Sequence, residues 1–324
     1  MAAVFQFVRV VGLCAVVAAG MGASASAQTT VGAVTVVGKK ALDKDAIKTV
    51  IAPFVKQHAA RDRKSGLLVR APPSGVCPLT LGLSPAFNAF VTARIVAVAS
   101  EAGSAVQTVG QCQPNVEVVF TEDPQDLVNA LGKKTGGAIL GFHFVGERRA
   151  LIQVSRPIQA WYMTGTVSST PAYAARVIDV SGLQPDIPPL TAGPAAAVID
   201  DAYSPNPYTG TGSRFAPDHS SQIVNVLIVA DLGKLDGWQI GPISDYVAML
   251  SLSQPRSLDA CSPLPSILDM LASECHGRLA PQALTESDAA FLKALYTADI
   301  STSGDRASYR IEHGMAKDIA AAKP

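Results

Sequence analysis

The chain has 324 residues, 48% of them hydrophobic and 16% charged, with 26 basic residues balancing 26 acidic ones. That apolar content can fill one large core or two smaller ones, and it excludes a disordered or fibrous chain. The sequence has no dense Lys/Arg block, so it lacks the concentrated positive stripe on which nucleic-acid binding depends.

The N-terminus "MAAVFQFVRVVGLCAVVAAGMGASASAQTT" sets Arg9 before the apolar run Val10 to Met21, then gives Ala25-Ser26-Ala27 ahead of Gln28. A basic start, a short apolar core and an A-x-A site are the features of an export signal, and they predict cleavage after Ala27, making 1–27 a signal peptide. The run falls short of the roughly 20 apolar residues of a permanent span; a retained signal anchor is the competing reading. The expectation is a secreted or periplasmic mature chain with no membrane span after signal cleavage. Cys14 leaves with the leader, and Cys77, Cys112, Cys261 and Cys275 remain. An even set in an exported chain predicts disulfides, with three pairings open. Spacing favours Cys77 with Cys112 and Cys261 with Cys275, against free buried thiols. No C-x-x-C supports thiol exchange, and His276 beside Cys275 is too little for a metal shell.

After the leader, "VGAVTVV" reads as a strand, and "ALDKDAIKTVIAPFVKQHAARD" as a helix interrupted by Pro53. "RAPPSGVCPLTLGL" reads as a turn-rich crossing. In "SPAFNAFVTARIVAVASEAG", Ser84 is the expected N-cap, Pro85 the first helical residue and Gly103 the terminator. Phe87, Phe90, Val91, Ile95 and Val98 form the expected apolar face. "NVEVVFTEDPQDLVNALGKK" predicts a strand over Val116 to Phe120, then a helix capped at Asp123-Pro124 that buries Leu127, Val128 and Leu131. "AILGFHFV" and "ALIQVSRPIQAWYMTGTV" read as further strands, with a hairpin across "GERR"; His143 is expected to pack among aromatic neighbours.

From Ser181 to Arg214 the composition turns rich in Pro, Gly, Ser and Thr, which predicts a long loop or a linker. "IVNVLIVAD" then reads as a buried strand of the same sheet. "GWQIGPISDYVAMLSLSQP" predicts a helix over Gly241 to Leu252 with Ile243, Tyr246, Val247 and Leu250 inward. "SPLPSILDMLASEC" predicts a short helix between two cysteines, and "LTESDAAFLKALYTADI" a helix capped by Thr285 and Asp288. "DRASYRIEHGMAKDIAAA" is amphipathic through Ile311, Met315 and Ile319. The fold class expected is α/β or α+β, a mixed sheet with amphipathic helices and a long Pro/Gly-rich loop. Its parts are an N-terminal α/β portion over 28–180, the loop over 181–214, and a strand with a mainly helical portion over 215–324, integrated with the preceding sheet.

"NVLIVAD", "ISDYVAMLSL", "PSILDML" and "LTESDAAFLKALY" give the C-terminal third an order that resembles zincin-type metallopeptidases, in which a sheet is followed by a catalytic helix and later helices. That resemblance implies a zincin-like third, yet its H-E-x-x-H is missing, so no zinc ligand carries over. "GVCPLTLGL", "ARIVAVASEAG", "CQPNVEVVFTEDP" and "RPIQAWY" resemble a family of secreted alphaproteobacterial proteins, which implies export and no particular activity. The histidines are His58, His143, His219, His276 and His313, no two of them three or four residues apart. A zinc site from His219, Asp231 and Asp245 is the speculative alternative. "APDHSSQ" sets Asp218, His219, Ser220 and Ser221 together, but a triad is converged by folding and no G-x-S-x-G elbow occurs. "GKKTGG" and "YTGTGSR" lack the order of a phosphate loop.

The best ligand surface in the sequence is "RPIQAWYM", where Arg156, Gln159, Trp161 and Tyr162 combine a charged fork, an amide and aromatic rings suited to a peptide, a glycan or an envelope protein. Strand alternation would put Trp161 and Tyr162 on opposite faces. The expectation is an exported, non-catalytic binding or envelope-associated protein with no catalytic residue, metal or cofactor; a secreted or periplasmic hydrolase is the alternative.

Overall fold

The computed structural model describes residues 47–61, 66, 68–72, 74–134, 140, 151–168, 219–275, 279–300 and 303–321. The leader, the expected strand "VGAVTVV", His143, the 181–214 loop and His276 lie outside the described residues. Five strands form one mixed sheet: β1 (Val69–Arg70), β2 (Pro78–Leu81), β3 (Val116–Thr121), β4 (Ile158–Ser168) and β5 (His219–Asp231). β5 is its axis. One edge of β5 carries antiparallel β4, from Ile158 opposite Ala230 to Ser168 opposite His219. On its other edge β1 runs parallel at Ser221 and Gln222, and β3 runs parallel from Val226 to Asp231. β2 lies outside β3, also parallel.

The sheet is covered on both faces, which is why "VLIVA" of β5 is apolar at successive positions and buried throughout. Strand alternation sends Val116, Val118, Phe120, Val226, Ile228 and Ala230 into the larger core. It sends Val119, Leu227, Val229 and Trp161 into a smaller one. Six α-helices are described: α1 (Ala52–His58), α2 (Pro85–Ala102), α3 (Pro124–Lys134), α4 (Ile240–Leu252), α5 (Glu286–Thr297) and α6 (Gly304–Ala321). α3 closes the smaller core with Val128 and Leu131, while the other five contribute to the larger one.

Several elements depart from the sequence expectation. Pro53 does not interrupt α1; it stands in the first turn, after a π-helical segment Ile47–Ile51, where a missing N–H is tolerated. The turn-rich crossing begins at the last residue of β1 and contains β2. β4 takes β5 as its antiparallel partner; the hairpin expected across "GERR" lies outside the described residues. β2 leaves the sheet through Gly82, whose φ of 95° and close approach to the Phe120 carbonyl, 1.8 Å from a would-be Cβ, leave room for no side chain. The segment between the C-terminal cysteines forms a 3-10 helix, Ile267–Leu271.

Helix ends are satisfied by distant residues. Arg70 of β1 donates through Nη1 to the carbonyls of Leu295, Tyr296 and Ala298 at 2.9, 3.0 and 3.0 Å, closing the C-terminus of α5. The hydroxyls of Tyr162 and Tyr296 donate to Leu250 O and Leu252 O, each at 2.9 Å, at the end of α4. That helix is buried from Pro242 through Leu252, so it packs on all sides rather than on one stripe. Disulfides join Cys77 to Cys112 and Cys261 to Cys275, with Cα separations of 6.1 and 5.0 Å. No described helix is long and apolar enough to cross a membrane.

Candidate binding surface

The speculative zinc ligands do not converge. His219 opens β5 and Asp231 closes it, and twelve strand steps of about 3.3 Å hold their backbones about 40 Å apart. Asp231 finishes the strand by accepting from Gly233 N (3.1 Å) and Lys234 N (3.3 Å), with Lys234 Nζ at 3.2 Å. Asp245 accepts from Arg94 Nε through one oxygen and from Leu284 N at 2.8 Å through the other, tying α2, α4 and the approach to α5 together. α4 therefore carries a structural carboxylate in its first turns, and no histidine.

The four residues of the "RPIQAWYM" segment are each engaged by the fold. Arg156 forms a two-pronged ion pair with Asp259, which holds that carboxyl below its ordinary range. Gln159 accepts from Ser155 N and donates to Gln153 O, closing its own loop. Trp161 is buried in the smaller core, its Nε1 donating to Leu151 O at 2.6 Å. Tyr162 points to the opposite face, where burial pushes its phenol well above the usual range. Alternation separates the rings as the sequence implies, and because both faces of the sheet are covered, Trp161 is buried and Tyr162 partly buried.

Sequence reading missed a buried polar network whose members are far apart in the chain. His58 Nδ1 donates to Phe54 O at 2.9 Å, which leaves Nε2 to accept from Ser262 Oγ at 3.3 Å. Burial lowers this imidazole to a pKa of about 4. A neutral histidine facing a serine hydroxyl has the parts of a nucleophilic dyad, but both side chains are sealed from solvent and His58 stacks on Phe54. Asp269 accepts from Ser262 N (2.8 Å) and Ser266 N (3.2 Å). Asp288, placed by its capping box with Thr285, also accepts from Ser266 Oγ and Ile267 N at 2.7 Å each. One carboxylate thus caps two helices. Cys261, Asp269 and Cys275 bring three potential metal-ligand atoms within 4.8 Å of one another; both sulfurs are spent on the disulfide and both Asp269 oxygens on backbone amides.

A further buried acid was equally invisible. Glu117 of β3 is only 6% exposed, hydrogen-bonded to Asn225 of β5, and desolvation raises its pKa to about 7. The Asn225 Oδ1 has no partner among the described residues.

Among the described residues, α2 carries two of the large apolar side chains that are exposed. Ser84 caps it by accepting from Phe87 N, and Gly103 ends it at φ 82°. Val91, Ile95 and Val98 are buried as the periodicity implies, but Phe87 and Phe90 are 51% and 47% exposed. The helical repeat puts Phe87, Phe90, Arg94, Val98 and Glu101 on one stripe. Val98 and Glu101 in turn wall a 240 Å³ groove between α2, α5 and α6, floored by Ala102, Leu284, Ala289 and Ala290 and closed by Ile319. Its rim holds Glu101, Glu286, Asp318 and Lys293, with Lys293 Nζ 3.0 Å from Asp318. Comparison of the chain with protein-family models, curated proteins and solved structures finds no match.

Proposed function

We propose that this chain is an exported binding protein that takes a peptide or a protein partner on α2 and the groove beside it, without turning over a substrate. The observation that carries this reading is the pair of half-exposed phenylalanines, 87 and 90, in line with an open apolar groove. Two adjacent aromatic rings held in water on a rigid helix are the kind of anchor a partner desolvates. Export is supported by the leader-like first 27 residues and by two disulfides, which persist in oxidising compartments. The carboxylates and the His58–Ser262 pair that chemistry would need are already committed to capping and packing.

Titration with the neutral apolar dye Nile red tests the surface. Saturable binding by the wild type, lost in Phe87→Ser/Phe90→Ser with an unchanged Tm, supports the reading. Binding that ignores the double substitution removes its basis. After cell fractionation the chain should be found outside the cytoplasm with Gln28 as its first residue; a chain that stays in the cytoplasm with Met1 intact would remove the export half.

A further inference from the structure

Resting on that reading, we infer that the partner segment is a cationic amphipathic helix, with apolar side chains entering the groove and Lys or Arg at its margins. The floor is apolar and shallow because Ala102, Ala289 and Ala290 contribute only methyl groups. Small residues flanked by longer walls leave a channel that accepts side chains from one face of a helix, spaced three and four residues apart. Phe87 and Phe90 lie farther along the same α2 stripe, beyond Arg94, whose guanidinium is held by Asp245, so they offer a second apolar contact apart from the groove.

Charge chooses the partner. The rim sets three carboxylates against one ammonium. Lys293 is already paired with Asp318, and Glu101 and Glu286 have no ion-pair partner among the described residues. Glu101 and Glu286 are both exposed, so a basic residue can reach them without a large desolvation penalty, and their main effect is on encounter and on discrimination between partners. An acidic helix with the same apolar face would meet like charge at both margins.

Fluorescence anisotropy with the full chain tests this, using two labelled 18-residue amidated peptides. Both carry leucines on one helical face; the other face is lysine in one and glutamate in the other. The lysine peptide should bind at least about tenfold more tightly, with an advantage that shrinks as salt is raised. Glu101→Lys/Glu286→Lys should reverse the preference, and Ala289→Trp, a substitution at an exposed position that fills the groove, should weaken the lysine peptide about tenfold. Equal affinity for the two peptides, or lysine-peptide binding that neither variant changes, overturns the inference. Tighter binding of the glutamate peptide that Ala289→Trp abolishes overturns the charge of the partner while leaving the binding reading intact. No binding of either peptide, together with no saturable Nile red site, removes both.

Discussion

Arg94 of α2 and Asp245 of α4 form an ion pair in which the carboxylate is 5% exposed and its second oxygen is held by the Leu284 amide. Removing the cation leaves a buried charge with one amide for company. Arg94→Leu should therefore lower the unfolding free energy by about 2–3 kcal/mol, at or just below the bottom of the buried-pair range because the guanidinium is partly in water. Arg94→Leu/Asp245→Asn should recover part of the loss. Urea denaturation of the three proteins checks this; a single variant within about 0.5 kcal/mol of wild type would remove the ion pair's structural role.

Glu117 and His58 give opposite pH slopes. The Glu117 carboxyl, raised from 4.5 to about 7, contributes stability that is complete below pH 4.5 and lost as pH rises through 7. The His58 imidazole, lowered from 6.5 to about 4, contributes stability that is present above pH 6.5 and lost as pH falls toward 4. Between pH 4.5 and 6.5 the two offset each other, and above that the loss at Glu117 stands alone. Glu117→Gln should leave the Tm near pH 4.5 unchanged and raise stability at pH 8, with about 3 kcal/mol as the upper bound set by the shift. Its new amide also brings a donor toward the unpartnered Asn225 oxygen. A variant whose Tm profile follows the wild type from pH 4.5 to 8 would contradict the assignment.

The two disulfides close loops of different length, with sequence separations of 35 and 14. Loop-closure entropy then ranks their removal: Cys77→Ala/Cys112→Ala should destabilise by about 4 kcal/mol and Cys261→Ala/Cys275→Ala by about 3 kcal/mol. Guanidinium denaturation of each double variant gives the order. The reverse order would mean that the short loop matters chiefly by holding Asp269 and Ser262 in the buried network.

Gly82 and Gly110 separate strain from collision. Both have positive φ, 95° and 82°, but only Gly82 has backbone where a Cβ would stand. Gly110→Ala should cost about 1 kcal/mol. Gly82→Ala requires β2 and β3 to part, and it should fail to accumulate as folded protein. Near-equal Tm values for the two variants would show that the β2–α2 turn yields easily.

What was legible in the sequence was local. α2, α5 and α6 announce themselves through caps and an apolar repeat of 3.6, and β3 and β5 through short, nearly continuous apolar runs. β1 and β2 do not, because two to four residues flanked by proline give no period to read. Periodicity also shows which residues share a helix face without showing where that face has a neighbour, and so Phe87 and Phe90 were grouped with Val91 and Ile95. The RPIQAWYM segment looked like a surface because an alternating strand usually has one wet side; here α3 covers that side. Ser262 and His58 are 204 residues apart in sequence and carry no mark of each other.

β5 also sets an order of events. It supplies the edge for β1 near residue 69, for β3 near 118 and for β4 near 160, so none of those strands has its principal partner until residues 219–231 have left the ribosome. β2, α2 and β3 can pair among themselves before that, but closing the full sheet requires pairing across loops of many tens of residues, which is slow. A late central strand keeps a growing chain threadable, and it makes folding an event of the finished polypeptide.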